Sequence, residues 1–417
     1  MKNIKNNREL SKLIDKYLIP QEHEKKSNAE VSTPFMLRQE MLDKIPIEFW
    51  TSIKKVFEPC AGKGGFIVDI IDRFMNGLKE AIHDEKERYK TIVEECLYFS
   101  DINPTNIFIC KLLIDPYNEY KLNYNEGNTL ELDIKEKWDI DGFDAVIGNP
   151  PYQNSNGASN GTLWDKFVLQ SFEITKPHGY ICMVHPSGWR NVNGKFKKLQ
   201  KEMFEKNMLY LEIHNESDGI AIFKAETRYD WYVIQNNNNY TTTEIKFEDC
   251  KTMNINIRKL EFIPNGQYDL VQKLLAEEGD EKCHVLHSES LYEIRKKWMS
   301  KEKTDEYKYP CVYTINSKSE IKHRYSSKNN GHIGIKKFMW SNGRIKSIGS
   351  VIDKEGKYGL TQFAYGIVDK EENLENIKKA FDSNQFRRLM EYCAVCQLTV
   401  NYKIIALFKK DFWKEFI

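Results

Sequence analysis

Short apolar runs alternate with amphipathic segments of helical length between residues 56 and 236. The runs are rich in Val, Ile, Phe and Tyr, which is typical of β-strands. Strands are predicted at residues 56–60, 96–101, 120–128, 143–149, 179–186, 209–215 and 230–236. Helices are predicted between them at residues 66–78, 103–114 and 163–175. Parallel strands need a crossover connection that is usually a helix, so the alternation predicts an α/β fold with a doubly wound, mostly parallel, seven-stranded sheet.

The pattern changes on both sides of this region, which divides the chain into three segments. Residues 1–30 are rich in Lys, Glu and Asn and predict an N-terminal tail or frayed helix. Residues 31–238 form the predicted α/β domain, which begins with a helix over residues 35–45. The polar run Gln235–Tyr240 predicts a linker, and the mixed helices and short strands beyond it predict a second, α+β domain over residues 239–417.

The net charge of the chain is +1, but the charged residues are unevenly distributed. Residues 251–417 contain 30 Lys and Arg against 22 Asp and Glu, a net charge of +8, so the remaining residues carry −7. Within that segment, residues 295–346 contain 14 basic and 4 acidic residues. A basic segment in a near-neutral chain is typical of a protein that contacts a polyanion on one side. A Lys-rich solvated surface is the alternative interpretation.

The nine cysteines and the hydropathy pattern argue against several classes of protein. Cys393 and Cys396 lack a second pair at the spacing of a zinc site, and they lie in an apolar stretch typical of a packed helix. Cys283, His284 and His287 form a single local cluster, so no metal site is expected. The sequence shows neither an apolar run of about 18 residues nor a secretory leader, which favours free thiols in a reducing cytoplasm.

Glycine and polar residues follow the first three predicted strands. The first strand runs into Gly62, Gly64 and Gly65, which would let a ligand approach the backbone closely. This turn is not a phosphate-binding P-loop, because no Gly-Lys-Ser or Gly-Lys-Thr closes it. The second strand ends at Asp101, where a carboxylate commonly accepts hydrogen bonds from ribose hydroxyls, and Asn128 follows the third strand. These residues predict a nucleoside site at the carboxyl edge of the sheet.

The fourth strand ends in Asn149-Pro150-Pro151-Tyr152, which is the most specific motif in the chain. Two consecutive prolines cannot continue a strand ladder or lie inside a helix. They therefore end the strand abruptly and hold one amide and one aromatic ring on a restricted backbone. A chance match to four specified residues in a chain of this length is about a one-in-a-hundred event or rarer.

The tetrapeptide and the glycine turn together resemble the amino-methyltransferases that use S-adenosylmethionine, and most of all the adenine-N6 DNA methyltransferases. Thr33-Pro34 resembles the Thr-Pro that precedes their glycine turn and flanks the methionine part of the cofactor. The order of the motifs, followed by a large C-terminal region, resembles the gamma arrangement, in which the target-recognition domain is C-terminal. The resemblance covers residues from about 30 to about 235 and implies a Rossmann-like methyltransferase fold.

The resemblance implies that S-adenosylmethionine is the cofactor and S-adenosylhomocysteine the product. It implies that the cofactor-binding residues are Thr33, Pro34, Glu58, Pro59, Cys60, Ala61, Gly62, Gly64, Phe66, Asp101, Ile102, Asn128, Thr129 and Asn149. Many members of the family have Asp at the position of Asn128, where it contacts the adenine amino group of the cofactor. The amide oxygen of Asn128 can accept the same hydrogen bond.

The implied catalytic residues are Asn149, Pro150, Pro151 and Tyr152. The exocyclic amine of adenine is a poor nucleophile, because its lone pair is delocalised into the ring. The side-chain oxygen of Asn149 and the carbonyl of Pro150 are expected to accept the two amine hydrogens, which frees the lone pair to attack the sulfonium methyl. This chemistry requires neither a general base nor a metal.

A target adenine inside a duplex cannot reach such a pocket, so it must be flipped out of the helix. Tyr152 is expected to stack on the flipped base, which would offset part of the cost of about a few kcal/mol for flipping. Phe223 resembles the second aromatic residue that packs against the flipped base in this family. A position in the core at a strand edge is the alternative for Phe223.

The C-terminal domain is expected to bind double-stranded DNA and to choose a short specific site. Its candidate contacts with the DNA backbone are Lys318, Lys322, Arg324, Lys328, Lys336, Lys337, Arg344 and Lys346. Tyr325 and Trp340 are candidates for wedging or stacking between bases. Each residue alone is more typical of an ordinary surface, and the clustering is what favours contact with DNA.

The leading hypothesis is a site-specific adenine-N6 DNA methyltransferase that acts as a monomer, with a cognate restriction endonuclease as a further candidate partner. An RNA adenine methyltransferase would have the same catalytic motif. A protein glutamine N5-methyltransferase would face the same nucleophile problem, but those enzymes usually lack a large basic C-terminal domain. A DNA-binding module with a lapsed catalytic domain is the non-enzymatic alternative, and the intact motif and glycines argue against it.

Overall fold

A computed structural model describes residues 7–20, 31–153, 161–192, 194–396 and 398–417. The chain forms two compact units. The first comprises the residues up to Trp189 together with Gly194–Leu260, and the second comprises a short segment from Arg190 together with Glu261–Ile417.

A nine-stranded sheet is the centre of the first unit in the part of the chain that the structure describes. Its strands are β1 (Val56–Glu58), β2 (Leu97–Asp101), β3 (Asn123–Glu126), β4 (Phe143–Gly148), β5 (Thr175–Pro186), β6 (Asn207–His214), β7 (Tyr229–Gln235), β8 (Thr243–Lys246) and β9 (Thr252–Ile255). Their order across the sheet is β3-β2-β1-β4-β5-β7-β6-β8-β9. β1 to β5 pair in parallel, and β7 lies antiparallel between β5 and β6. The predicted α/β class with a mostly parallel sheet is confirmed.

Two strands extend this sheet beyond the seven that the sequence predicts. β8 pairs in parallel with β6, and β9 pairs antiparallel with β8. The predicted domain boundary at residues 238/239 therefore falls inside the first unit, which ends at Leu260. The Asn-rich run is a loop that packs on the first unit rather than a linker. The side-chain amide of Asn236 donates to the carbonyl oxygens of Thr175 (2.7 Å) and Phe172 (3.2 Å).

Helices cover both faces of the sheet. They are α1 (Asn7–Tyr17), α2 (Phe35–Asp43), α3 (Gly65–Gly77), α4 (Glu85–Thr91), α5 (Pro104–Ile114), α6 (Ile134–Trp138), α7 (Trp164–Ile174), α8 (Lys197–Glu205) and α9 (Glu216–Phe223). Side chains that alternate along β1 show the two-sided burial. Val56 packs into the main core with α2, α3 and α5, while Phe57 stacks on Phe143 on the other side, with ring centroids 4.7 Å apart. Both side chains are fully buried, as a doubly wound sheet requires.

Helix α1 lies within the segment that the sequence predicts as a tail or frayed helix, residues 1–30. The helix is confirmed over Asn7–Tyr17, whereas residues 1–6 and 21–30 of that segment lie outside the described residues.

The second unit is a mixed α+β structure, as predicted. Its strands are β10 (Val285–Leu286), β11 (Met299–Ser300), β12 (Tyr309–Ile315), β13 (Ile321–Ser326), β14 (Lys337–Ser341), β15 (Ser350–Asp353), β16 (Gly359–Leu360) and β17 (Ala364–Ile367). Its helices are α10 (Tyr268–Leu274), α11 (Glu371–Asp382), α12 (Asn384–Cys393) and α13 (Tyr402–Ile405). The strands form two four-stranded sheets, in the orders β10-β17-β14-β15 and β11-β13-β12-β16. Among the described helices of either unit, none has the length and apolar character needed to cross a membrane.

Candidate cofactor and catalytic site

A cavity of about 300 Å³ lies at the carboxyl ends of β1, β2 and β4 in the first unit. This is the edge at which open α/β sheets bind ligands. The predicted site residues that line the cavity are Thr33, Glu58, Pro59, Cys60, Ala61, Gly62, Phe66, Asp101, Ile102, Asn128, Thr129, Asn149, Pro150 and Pro151. Pro34, Gly64 and Tyr152 do not contribute to the lining, and they lie next in sequence to residues that do. One pocket therefore brings together the ends of four strands and the Thr33 segment.

The glycine turn has the backbone that its sequence suggests. Gly62 and Gly64 have φ angles of +50° and +81°, in the left-handed region that favours glycine, and Gly64 precedes the first turn of α3. A Cβ atom at Gly65 would lie 2.8 Å from the guanidinium of Arg38, so this position also requires a small residue. The Gly62 N–H donates to the Asp101 carboxylate at 2.8 Å, which holds the turn against the end of β2.

Asp101 is mostly buried, and both of its oxygens accept backbone hydrogen bonds. Oδ2 accepts from Gly62, and Oδ1 accepts from the Asn103 N–H at 2.8 Å. Burial raises the pKa of this carboxyl, while the hydrogen bonds from Asn103 and Gly62 oppose the rise. The Asn106 side chain also bonds this carboxylate, and because a carboxylate can accept about four hydrogen bonds, Asp101 retains capacity for a ligand hydroxyl.

Asn128 and Thr129 have different environments although they are adjacent. The Thr129 hydroxyl is buried, donates to the Pro59 carbonyl at 2.7 Å and lies 2.8 Å from the Ser100 hydroxyl. Thr129 therefore ties the glycine turn to the end of β2. Asn128 is exposed, and its side-chain oxygen accepts from the Leu130 N–H at 3.2 Å while its amide donates to Glu131 at 2.7 Å.

The orientation of the Asn149 carboxamide is fixed by its neighbours. Its Nδ2 donates to the carbonyl oxygen of Val31 at 3.2 Å and to the hydroxyl of Thr33 at 3.1 Å. A carbonyl oxygen can only accept, so the nitrogen must face Val31 and the oxygen must face away. Oδ1 of Asn149 is buried and has no hydrogen-bond partner among the described residues. The site thus contains a rigid, unused hydrogen-bond acceptor beside Pro150 and Pro151.

Tyr152 and Phe223, the two predicted base-stacking residues, are in edge-to-face contact. Their ring centroids are 6.3 Å apart and the rings are inclined at 79°. Phe223 also contacts the ring of Tyr229 at 4.8 Å and belongs to the main core, so it is both a core residue and a neighbour of Tyr152. Burial raises the pKa of the Tyr152 hydroxyl above its usual range, with the nearby Asn149 side chain opposing the rise.

A buried arginine beside the cavity was not predicted from the sequence. Arg38 on α2 donates to Asp69 at 2.6 Å, to Asp15 at 2.8 Å, to the Ser11 hydroxyl at 2.6 Å and to the Thr33 carbonyl. Arg38 and Asp15 both line the cavity. The sequence does contain a signal for Arg38, because it occupies the apolar face of its helix, among residues whose side chains are buried. We refer to Ser11, Asp15, Arg38 and Asp69 as the Arg38 cluster.

The carboxyl of Glu58 lies at the end of β1 and is almost fully buried. Burial raises its pKa well above the usual range, although the charge of Arg38 opposes the rise. Its Oε2 has no hydrogen-bond partner among the described residues. Lys63 is a second cavity residue missing from the predictions, and its ammonium donates to the Asn106 side chain at 2.7 Å.

The predicted DNA-backbone contacts in the second unit fall into two groups. Exposed cations without an ion pair among the described residues are Lys318, Lys322, Lys328, Arg344 and Lys346. Arg324 is half-buried, and its guanidinium lies 4.2 Å from the ring centroid of Tyr313. Tyr325 is also half-buried, and its ring stacks with that of His323.

Two predictions in the second unit are wrong. Lys337 is fully buried on β14 and pairs with Asp353 at 2.8 Å, so it cannot reach a phosphate. Trp340 on the same strand is also fully buried, and it packs against Phe338 and Phe381 in the core of the unit. Lys336 is exposed but forms an ion pair with Glu371 at 2.7 Å.

Part of the chain matches a described protein family. Residues 84–223 match the model of the Eco57I restriction-modification methylase family. This segment contains the Asn149–Tyr152 motif and extends from α4 to α9.

Individual relatives agree with this match. The chain is 27% identical over 153 residues to a protein of Mycoplasma pneumoniae described as an uncharacterized adenine-specific methylase, which covers 33% of this chain and 35% of that protein. The family match and this relative confirm the resemblance to adenine-specific DNA methyltransferases. The match thus spans about a third of that relative's length.

The fold is shared with a solved structure. The structure of DrdV in a DNA complex superposes with a TM-score of 0.52 at 11% identity, covering 95% of this chain and 58% of that one. A modification subunit of a type I restriction enzyme of Vibrio vulnificus superposes with a TM-score of 0.43 at 15% identity, covering 57% of this chain and 51% of that one. The chain therefore spans little more than half of either structure.

Proposed function

We propose that this protein is a site-specific DNA methyltransferase that transfers a methyl group from S-adenosylmethionine to the N6 amine of a flipped adenine. The single observation that carries the proposal is the Asn149 carboxamide. Its nitrogen donates to Val31 and Thr33, and its oxygen is a buried acceptor without a hydrogen-bond partner among the described residues. A buried acceptor of this kind is costly unless a ligand satisfies it, and an amine with two hydrogens is a suitable ligand.

The residues of the cavity fit S-adenosylmethionine. The glycine turn lets a ligand lie against the backbone, Asp101 can accept from a ribose hydroxyl, and Asn128 lies beyond β3 where an adenine edge would be expected. When bound, the cofactor supplies an electrophilic sulfonium methyl group.

The chain's own residues would raise the nucleophilicity of the target amine. Asn149 Oδ1 and the carbonyl of Pro150 would accept its two hydrogens and draw the nitrogen toward tetrahedral geometry. Because the prolines and the Thr33 hydrogen bond already restrict Asn149, little reorganisation accompanies the reaction. Asn149 and Pro150 would thus present the amine nitrogen to the methyl group, whose transfer would leave a neutral thioether and release one amine proton to solvent.

Tyr152 is proposed to stack on the flipped adenine, with Phe223 packed against its edge. Stacking of a base on an aromatic ring contributes about 1 to 3 kcal/mol, which is comparable with the cost of flipping. The contact between Tyr152 and Phe223 supports a shared role, since it couples the catalytic motif to α9.

The second unit is proposed to be the target-recognition domain for double-stranded DNA. Its net positive segment and its exposed, unpaired cations support this role. The similar proteins support this role, since the matching family model is that of restriction-modification methylases and the structure of DrdV was determined with DNA. A cognate restriction endonuclease is accordingly a candidate partner, and a monomer is the expected functional state.

The proposal is tested by transfer of labelled methyl from S-adenosylmethionine to unmethylated genomic DNA, followed by digestion to nucleosides. We expect labelled N6-methyladenine with the wild type and a loss of at least about a hundredfold with Asn149→Ala. Asn76→Ala is the matched control, because Asn76 is an exposed asparagine at the end of α3. Label in RNA or protein but not in DNA would contradict the proposed DNA substrate. Cofactor binding without methyl transfer would contradict the proposed enzymatic activity.

A further inference from the structure

Helix α1 forms part of the wall of the cofactor cavity. Ile14 and Asp15 of this helix line the cavity together with Thr33, Arg38 and Glu58. The family model begins at residue 84, so the matched segment does not include α1. A helix that the sequence predicts as part of a tail therefore contributes directly to the site.

Buried contacts hold α1 in this position. Arg38 donates to Asp15 at 2.8 Å and to the Ser11 hydroxyl at 2.6 Å, and Asp15 Oδ2 also accepts from the Phe35 N–H. The same guanidinium donates to Asp69 on α3. A fourth hydrogen bond from Arg38 goes to the Thr33 carbonyl. One buried arginine on α2 thus joins α1 and α3 at the same end of the cavity.

The charge at this end of the cavity favours a cation. Two carboxylates, those of Asp15 and Asp69, pair with the single guanidinium of Arg38, and the carboxyl of Glu58, whose pKa is raised by burial, lies nearby. Asp69 and Glu58 are 1% and 2% exposed, whereas the Asp15 side chain is 26% exposed. Asp15 is therefore the carboxylate that a ligand can reach, and each of its oxygens can accept another hydrogen bond.

The hydrogen bonds also indicate which part of the cofactor would meet Asp15. Arg38 bonds the Thr33 carbonyl, and the Thr33 hydroxyl accepts from Asn149 at 3.1 Å, so Asp15 belongs to the Asn149 side of the cavity. Asp101 and Asn128 lie at the ends of β2 and beyond β3, on the other side of β1 in the sheet order. If the nucleoside lies over β2 and β3, the amino-acid group next to the sulfonium extends toward Thr33 and Asp15.

We propose that Asp15 binds the α-ammonium of the cofactor's methionine part, which makes α1 a component of the cofactor site. This inference rests on the proposed use of S-adenosylmethionine and adds a residue to it. An ammonium–carboxylate contact shielded on one side by Arg38, Ile14 and Glu58 is a charge-assisted hydrogen bond in a partly dry environment. The other members of the Arg38 cluster, Ser11, Arg38 and Asp69, position Asp15 and do not themselves contact the ammonium.

The test compares three ligands on the full chain by isothermal titration calorimetry. S-adenosylmethionine and S-adenosylhomocysteine carry the amino-acid group, whereas 5′-methylthioadenosine lacks it. Asp15→Asn is expected to weaken both amino-acid ligands about tenfold or more and to leave the affinity for 5′-methylthioadenosine within about twofold of the wild type. Asp15→Glu is expected to restore part of the lost affinity, because it keeps the carboxylate.

Ser11→Ala is the matched control, because it removes another bond between α1 and Arg38 without changing charge. If Asp15 only held α1 in place, Asp15→Asn and Ser11→Ala would weaken all three ligands in similar proportion, and that result would overturn the inference. Unchanged affinities in Asp15→Asn would overturn it as well. A wild-type protein that binds 5′-methylthioadenosine and neither amino-acid ligand would overturn the inference too, while a wild type that binds none of the three would remove the proposed function with it.

Discussion

The hydrogen bond between Thr33 and Asn149 is the residue-level feature that most directly sets the proposed chemistry. Asn149 is followed by two prolines that restrict its backbone, but prolines do not decide which way the carboxamide faces. Val31 and Thr33 do, because together they accept both hydrogens of Nδ2. The residue upstream of the sheet therefore orients the residue at the end of β4.

Thr33→Val should lower kcat for DNA methylation about three- to tenfold, because it removes one of the two acceptors that hold the amide. The KM for DNA should change by less than about twofold, since Thr33 is not proposed to touch the target base. Thr33→Ser keeps the hydroxyl and should retain most of kcat. Equal losses in both variants, measured by steady-state methyl transfer, would mean that the hydroxyl does not orient Asn149.

Glu58 gives a pH-dependent prediction for stability. Its pKa is raised in the folded state, so folding favours the protonated form. The associated stability is fully present below the unfolded pKa and is lost as the pH rises through the folded pKa. Glu58→Gln mimics the protonated form and should therefore be more stable than the wild type at about pH 8.5, with the difference shrinking toward about pH 4.5. Denaturant melts of the unliganded proteins at both pH values check this sign.

The strands predicted from the sequence agree with the structure in most of the first unit and differ from it in a few elements. The strands of the parallel core are well predicted, because buried parallel strands are nearly continuous apolar runs. The sequence does not predict β8 and β9 because they are only four residues long and mix polar with apolar residues, and β9 forms the edge of the sheet. In each case, pairing with a neighbouring strand decides the structure more than the strand's own composition.

Strand β13 and the turn before it carry three of the cations that are proposed to contact phosphates. Lys318, Lys322 and Arg324 form no ion pair among the described residues, and Arg324 lies over the ring of Tyr313. By contrast, several other cations of the unit are neutralised, such as Lys354 by Glu375. Unpaired cations release DNA counterions more readily than paired ones, so charge alone does not identify the DNA-binding surface.

Replacing Lys318, Lys322 and Arg324 together by Ala should weaken DNA binding and lower the slope of log K against log salt by up to about 3. The matched control removes the same charge from the ion-paired residues Lys354, Lys378 and Lys410. Fluorescence anisotropy over a salt series measures both triple variants. Equal effects would show that only net charge matters and would argue against β13 as the contact surface.

At the scale of the whole molecule, the sequence predicts motifs made of contiguous residues and misses contacts between residues that are distant in the sequence. The glycine turn and the Asn149–Tyr152 motif are contiguous, so they can be read directly, and the structure places them around one cavity. Asp15 comes from a segment with an ordinary helical pattern, and only its contact with Arg38 at the cavity reveals it. Lys337 was misassigned because residue counts do not distinguish a solvated cation from one buried against a carboxylate.

The walls of the cavity are contributed by residues between Ile14 and Phe167, a span that has consequences for synthesis in the cell. The N-terminal part of a chain leaves the ribosome first, and domains generally fold as units. The pocket that α1 borders is therefore complete only after β4 and α7 have been synthesised. Until then no cofactor can bind and stabilise the nascent chain, so stabilisation by the ligand begins only once the entire pocket has been translated.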